Sequence, residues 1–448
     1  GAEDVVLDSL EWFGLNPDES PRLGGDFGSY RQSERLDIYR SYALKLIEDG
    51  NAFYCFCSRE RLEEMRSLQE SNRQAPRYDG LCSHLNEDQV KKRLAEGVPY
   101  TIRMKIPENE TIVVHDELVG DVYFESRTLD MQVLMKSDGF PTYHLAVVVD
   151  DYLMQITHIF RGREWLPSTP KHVLLYRYFG WDLPKFIHLP VILNSEGRGK
   201  LSKRQGHASV SYYIEKGFLP EAILNYLSLI VWKHPEGKEI YDLEEFIRLF
   251  EIRDVTSQGP KFDLAKLSWL NGVYIRSKGN EELVGRLSQR TNVMGYSSLD
   301  SEEIRRYLPL VKDRLVTLSD FDDLVWFLIK DNVVEVVKSD YIKKHEGDVI
   351  DDVYARELLW TMMKGRHLGG DDVRAILGYA LERVEEDFNL EQFEGVMKEW
   401  FAGKGYKNAD AFMVIRVALT GRTATPPLTE VMYVLGKERI ISRLRFLC

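Results

Sequence analysis

The chain is poor in cysteine. Four in 448 residues cannot staple a disulfide scaffold of the secreted kind. It also has no uninterrupted apolar run long enough to cross a bilayer, which argues against membrane spanning. Excess positive charge is missing too: the formal net charge is -12, so nucleic acid is not coated through net charge alone, although a local basic stripe can still bind phosphates. There is no internal repeat and no low-complexity tract. Gly1-Ala2-Glu3-Asp4 offers neither an initiator Met nor a basic leader, and the expectation is a chain that begins inside a longer one.

What remains is ordinary for globular protein: 44% hydrophobic and 29% charged residues, in a chain long enough for three or four units. Residues 1–15 read as an amphipathic helix stopped by Gly14, followed by a loop rich in Pro and Gly. From Arg31 to about Tyr143, helical patterns (33–50, 86–96) mix with strand-like runs (100–106, 111–115), as in an α+β module inserted into something else. Tyr143 to Asp150, 155–160, the helix 168–179 and 186–193 then read as strand, strand, helix, strand, the grammar of a parallel sheet and an α/β fold class. Beyond Lys278 nearly every segment carries a 3.6-residue period, so the last third should be all-α.

Three of the cysteines are clustered. Cys55 and Cys57 stand two apart in a strand-like Phe-Tyr-Cys-Phe-Cys, so both should face one side. Cys82 and His84 repeat that spacing after twenty-four residues. Cys-x-Cys…Cys-x-His supplies three sulfurs and one nitrogen, a closed tetrahedral set suited to structural zinc. Cys448 reads as a free thiol.

A second concentration of chemistry is Gly197-Arg-Gly-Lys-Leu-Ser-Lys-Arg-Gln-Gly-His207, four cations and three glycines in eleven positions of an acidic chain. Glycines let the backbone approach a ligand closely, and the cations can neutralise a polyphosphate such as that of ATP. Lys200-Leu-Ser-Lys-Arg204 resembles the second signature of class I aminoacyl-tRNA synthetases in the form used by the glutamate and glutamine enzymes. Gly28 to Tyr39 (GSYRQSERLDIY), Leu134 to Asp151 (LMKSDGFPTYHLAVVVDD), Phe160 to Trp165 (FRGREW), Gly259 to Arg276 and Arg416 to Gly421 are similar to stretches of bacterial and organellar glutamyl-tRNA synthetases, in one collinear order. The cysteine–histidine spacing also looks like the zinc site of some members of that family.

The resemblance implies coupling of glutamate to ATP, with Mg2+, and transfer of the glutamyl group to the 3′ end of tRNA-Glu. Catalysis would then rest on positioning and charge stabilisation. By resemblance Lys200 and Lys203 stabilise the phosphates as pyrophosphate leaves, and Arg204 supports the catalytic loop. Tyr143 and Arg161 would bind glutamate, the alternative being a core aromatic and an ion-pair partner. Glu164, Trp165, Val191, Ile192 and Lys203 would line the ATP site, and Cys55, Cys57, Cys82 and His84 would hold the zinc. Val147 and Arg163 depart from the pattern and stay outside the site. Nothing resembles the family's His-x-Gly-His signature, and a chain without that segment should not be competent for activation.

The expected architecture is a Rossmann-like catalytic domain (1–30 and 145–195), N-terminally incomplete and interrupted by an α+β, zinc-bearing, acceptor-end-binding insertion (31–144). A stem-contact domain with the basic loop (196–278) and an all-α anticodon-binding domain (279–448) follow. The resemblance implies a monomer in the cytoplasm or an organellar matrix, with tRNA-Glu, glutamate and ATP as partners and no membrane. A non-catalytic tRNA-binding derivative and a glutaminyl-type specificity remain as alternatives.

Overall fold

The computed structural model describes residues 1–197, 199–201, 209–294, 299–345, 348–365 and 367–448. Lys203, expected to stabilise the phosphates, and Arg204, expected to support the basic loop, lie outside the described residues. The chain divides into two compact units, one of Gly1–Gln205 with Leu224–Phe262, the other of Gly206–Ile223 with Asp263–Cys448.

The first unit carries strands β1 (Ala52–Cys55), β2 (Thr101–Met104), β3 (Thr111–Asp116), β4 (Gly120–Glu125), β5 (Val133–Met135), β6 (His158–Gly162) and β7 (Lys185–Leu189). Its helices include α1 (Ala2–Trp12), α2 (Leu36–Glu48), α3 (Arg59–Ser71), α4 (Glu87–Ala95), α5 (Tyr143–Leu153) and α6 (Thr169–Phe179). One sheet is antiparallel, in the order β1-β2-β5, with Tyr54 opposite Ile102. The other runs β4-β3-β7-β6. In it β6 and β7 are parallel neighbours joined through α6, a βαβ unit whose crossover helix packs back over the strands.

The hairpin β3–β4 comes from the middle of the expected insertion, yet it belongs to the β6–β7 sheet. Asp116 pairs with Phe186 in parallel, and the Glu117 N–H donates to the Phe186 carbonyl at 2.9 Å. Gly120, at φ +82°, takes the left-handed conformation that lets β4 start directly opposite Asp116.

The run Tyr143 to Asp150, expected to be a strand, is helix α5. Three successive valines resemble a strand, but Leu145, Ala146, Val148 and Val149 are the buried set, a helical spacing. That stripe packs in the core with Val173, Leu174 and Leu175 of α6 and with Tyr39, Ala43 and Leu46 of α2. After β7 the chain turns back: the Leu201 N–H donates to the Ile192 carbonyl and the Asn194 N–H to the Gly199 carbonyl. The turn depends on Gly197 (φ +72°) and Gly199 (φ +94°).

The second unit is helical among its described residues, with successive helices from Leu264–Ser277 to Leu428–Leu447. Phe321, Phe327 and Phe401 lie in its core with Leu and Val from neighbouring helices. Asp300 caps Ser301–Val311, accepting from the N–H groups of Glu302 and Glu303. Arg443 is buried and donates to the carbonyls of Leu419 and Lys330, satisfying the ends of two helices. Among the described residues no helix is long and apolar enough to cross a membrane.

Candidate functional site

Arg161 of β6 lies beside His188 of β7 in the parallel register, so their side chains share one face of the sheet. Arg161 Nε donates to His188 Nε2 at 3.0 Å, Nη2 to Thr169 Oγ1 at 2.7 Å and Nη1 to His172 Nδ1 at 3.2 Å. Thr169, His172 and His188 are buried. A guanidinium has no lone pair to give, so both imidazole nitrogens that face it must accept, and both rings are neutral there. The other nitrogens follow: His188 Nδ1 donates to Asp116 Oδ2 at 2.6 Å, and His172 Nε2 donates to His144 Nδ1 at 3.0 Å. Burial, followed by the nearby cations Lys171 and Arg161, pushes His144 down to about 4. Burial and Arg161 push His172 well below its ordinary value. Among the described residues no carboxylate comes within ion-pairing distance of Arg161, so a buried cage of neutral acceptors surrounds a full positive charge.

Tyr143 and Trp165 form the rim. Their rings are 4.7 Å apart, the Tyr143 ring is 6.0 Å from His172, and the two side chains are 41% and 38% exposed. Tyr143 opens α5 and Trp165 sits in the 3-10 segment Arg163–Ser168 that follows β6, so the C-terminal end of a parallel strand presents the guanidinium and two aromatic faces together. Val147 is half-buried in the core, and Arg163 donates to the Ser257 carbonyl at 3.3 Å. Asp151, on the same helix as Tyr143, is pushed up to about 6 by burial and by Asp150, with Arg161 opposing.

Glu164 meets Lys200: Nζ donates to Oε1 at 2.7 Å, and both side chains are largely exposed. This hydrogen bond holds the Glu164 carboxyl below the usual range. A Cβ at position 162 would lie 2.1 Å from Glu164 Oε2, so the glycine in Arg-Gly-Arg-Glu lets this carboxylate fold back over the strand end. Val191 and Ile192 lie on the stretch that returns to Lys200, the Ile192 carbonyl accepting from the Leu201 N–H.

The thiols of Cys55, Cys57 and Cys82 come within 4.8 Å of one another, and His84 is not part of the group. The sequence expectation of a repeated i, i+2 pair fails for a geometric reason. Cys82 and His84 lie in the 3-10 turn Leu81–His84, where successive side chains rotate by about 120°, so residues two apart diverge. Two polar side chains flank the thiols: the Tyr78 hydroxyl lies 3.4 Å from Cys57 Sγ and accepts from the Cys82 N–H at 2.9 Å, and Arg61 Nη1 donates to Cys57 Sγ at 3.4 Å. Burial, with the neighbouring thiols, pushes Cys57 up to about 11 and raises Tyr78. Three sulfurs converging in an apolar pocket fit zinc chemically, since thiolates are its preferred structural ligands.

Asp116, Thr169, His172 and His188 escaped the sequence reading. No spacing links them: Asp116 and His188 are 72 residues apart and meet only because β3 joins β7.

Comparison with known proteins places these features in a family. Residues 1–269 match the family described as tRNA synthetases class I (E and Q), catalytic domain, and residues 282–448 match an anticodon binding domain. A glutamate–tRNA ligase of Fusobacterium nucleatum is 38% identical over 452 residues, covering 99% of this chain and 87% of that protein. One from Gloeobacter violaceus is 40% identical over 454 residues, covering 99% and 85%. The crystal structure of a glutamate tRNA ligase from Elizabethkingia meningosepticum, in complex with its amino acid, superimposes with a TM-score of 0.84 at 31% identity, over 100% of this chain and 89% of that one.

Proposed function

The chain belongs to the class I tRNA synthetases of the glutamate and glutamine type, and we propose that it is a glutamate–tRNA ligase whose Arg161 receives the side-chain carboxylate of glutamate. The observation that carries the assignment of this residue is a guanidinium caged by neutral acceptors, with one N–H left on each terminal nitrogen. Such an edge fits a carboxylate bidentately. Against an amide it would set donor facing donor, so glutamate is favoured over glutamine. The Tyr143 and Trp165 rings flank the entrance.

In the reaction the α-carboxylate of glutamate attacks the α-phosphorus of ATP and pyrophosphate leaves. The 3′-terminal ribose hydroxyl of tRNA then attacks the adenylate carbonyl, and AMP leaves as the ester forms. Lys200 would exchange Glu164 for a phosphate oxygen, joined by Lys203 with Arg204 supporting the loop, both by resemblance, and Mg2+ would arrive with the ATP. Glu164, Trp165, Val191 and Ile192 would line the nucleotide side. The enzyme would work as a monomer. Cys55, Cys57 and Cys82, with the Tyr78 phenol in place of His84, would hold a structural zinc that cross-links β1 to the 3-10 turn. This stretch would receive the acceptor end and the helical unit the anticodon arm, in the cytoplasm or an organellar matrix.

The test is glutamate-dependent ATP–pyrophosphate exchange, with and without tRNA-Glu, by the product of the whole reading frame. Arg161→Ala should cut exchange at subsaturating glutamate by about 10²-fold or more. Unchanged exchange in that variant sinks the assignment of Arg161, and tRNA binding without any exchange sinks the ligase reading.

A further inference from the structure

The group that stands out beyond the ligand-facing residues is Asp116. Its side chain is fully buried, and it lies one imidazole away from Arg161. Both of its oxygens only accept. Oδ1 takes the N–H groups of Leu118 and Val119 at 3.0 and 2.8 Å, and Oδ2 takes the backbone N–H of His188 at 3.0 Å and its ring Nδ1–H at 2.6 Å. Burial alone would raise this carboxyl, but the bonds from His188 and the two turn amides outweigh it and hold it below the usual range.

Resting on the reading of Arg161 as the glutamate carboxylate's partner, we propose that Asp116 and Thr169 are positioning residues for that guanidinium. Asp116 fixes the tautomer of His188, so that Nε2 accepts from Arg161 Nε, and Thr169 Oγ1, 3.1 Å from the same Nε2, accepts from Nη2. The imidazole nitrogen and the hydroxyl together occupy the Nε/Nη2 edge much as a carboxylate's two oxygens would. The terminal Nη1/Nη2 edge then faces the ligand, steadied from the other side by His172. An aspartate bound directly to Arg161 would also orient it, but the incoming carboxylate would have to displace that partner. Interposing a neutral ring supplies orientation, with the compensating charge one ring away, and leaves the ligand's edge uncovered.

The arrangement makes Asp116→Asn specific in its damage. An amide nitrogen cannot accept, so either flip of the asparagine opposes two N–H donors. The escape is for His188 to move its proton to Nε2, which then points a donor at the Nε–H of Arg161.

The experiment uses the product of the whole reading frame and measures the glutamate KM, the ATP KM and the melting temperature for the unsubstituted protein, Asp116→Asn, Thr169→Val, Thr169→Ser and Arg161→Ala, with the glutamate Kd by calorimetry as a check independent of turnover. Asp116→Asn and Thr169→Val should raise the glutamate KM and Kd about ten- to a hundredfold, by analogy with the loss of an outer partner of a metal-binding side chain. The ATP KM should stay within about twofold, and Thr169→Ser, which keeps the hydroxyl, should restore most of the affinity. If Asp116→Asn does not fold, the valine–serine contrast decides alone. Wild-type glutamate KM in Asp116→Asn and Thr169→Val, with a raised value in Arg161→Ala, overturns the positioning role and leaves the reading beneath it standing. An ATP KM rising in parallel, or a serine variant as impaired as the valine one, also overturns it, because the residues would then be supporting the fold in general. An unchanged glutamate KM in Arg161→Ala, or no glutamate binding by the unsubstituted product of the whole reading frame, removes the underlying reading instead.

Discussion

Replacing Tyr78 with phenylalanine separates the metal set that the spacing suggests from the one proposed above. The Tyr78 ring packs beside Phe53 at 6.3 Å between centroids and under the Arg103 guanidinium at 4.3 Å, and Phe keeps both contacts. What is lost is the hydroxyl, which lies 3.4 Å from Cys57 Sγ and accepts the Cys82 N–H at 2.9 Å. Leaving that buried N–H without an acceptor costs about 1–3 kcal/mol. At 1.4 kcal/mol per decade this is about a 5- to 150-fold loss if the whole effect falls on metal affinity. The assay is zinc per chain by elemental analysis after dialysis against a graded series of competing chelators, alongside the melting temperature. Tyr78→Phe should give up its zinc at a lower chelator concentration than the parent, and His84→Ala should track the parent. The reverse pattern, with zinc lost from His84→Ala and kept by Tyr78→Phe, would refute the geometric argument, and equal retention by both would deny the phenol any part in holding the metal.

Three other perturbations probe different links. Phe401→Ala empties a fully buried ring site in the helical unit and should lower its unfolding free energy by about 3–5 kcal/mol in denaturant titration; a loss under about 1 kcal/mol would mean that the core collapses around the gap. Asp151 is an acid raised to about 6 from 3.8, so the folded chain holds this proton more tightly than the unfolded one. The cost of ionising it in place grows as pH rises from about 4 to 6 and is complete above that. Asp151→Asn should therefore melt higher than the parent at pH 7.5 and no higher at pH 3.5, and a gain independent of pH would point to packing instead. Lys200→Met breaks an exposed ion pair with Glu164, which should move stability by less than about 1 kcal/mol while lowering exchange on the order of 10²-fold; a large drop in melting temperature would recast Lys200 as structural.

What the sequence made legible follows from how local each signal is. The βαβ unit of β6, α6 and β7 could be read because each element carries its own period and α6 ends on Gly180 in the left-handed conformation. The helical third was legible for the same reason. Helix α5 was not: its valines are β-branched, and an eleven-residue helix that buries one stripe looks like a buried strand until its neighbours are known. The convergence of Cys55, Cys57 and Cys82 showed in the spacing, but the divergence of His84 depends on a 3-10 turn that no residue pattern announces. Arg161 and Tyr143 were picked out by resemblance. The cage that gives Arg161 its orientation was invisible, because parallel pairing of β3 with β7 leaves no turn between the partners and so no local mark.

That pairing also sets a clock. The groups around Arg161 lie close to it along the chain, with Thr169 8, His172 11 and His188 27 residues away. The carboxylate behind His188 must close a loop of 72 residues, and long-range contacts of this kind form late. A chain that has built its helices but not yet docked the 111–125 hairpin has an imidazole free to choose either tautomer. Competence for the ligand should therefore arrive with the slowest kinetic phase: in a refolding experiment, far-UV circular dichroism should recover ahead of glutamate binding.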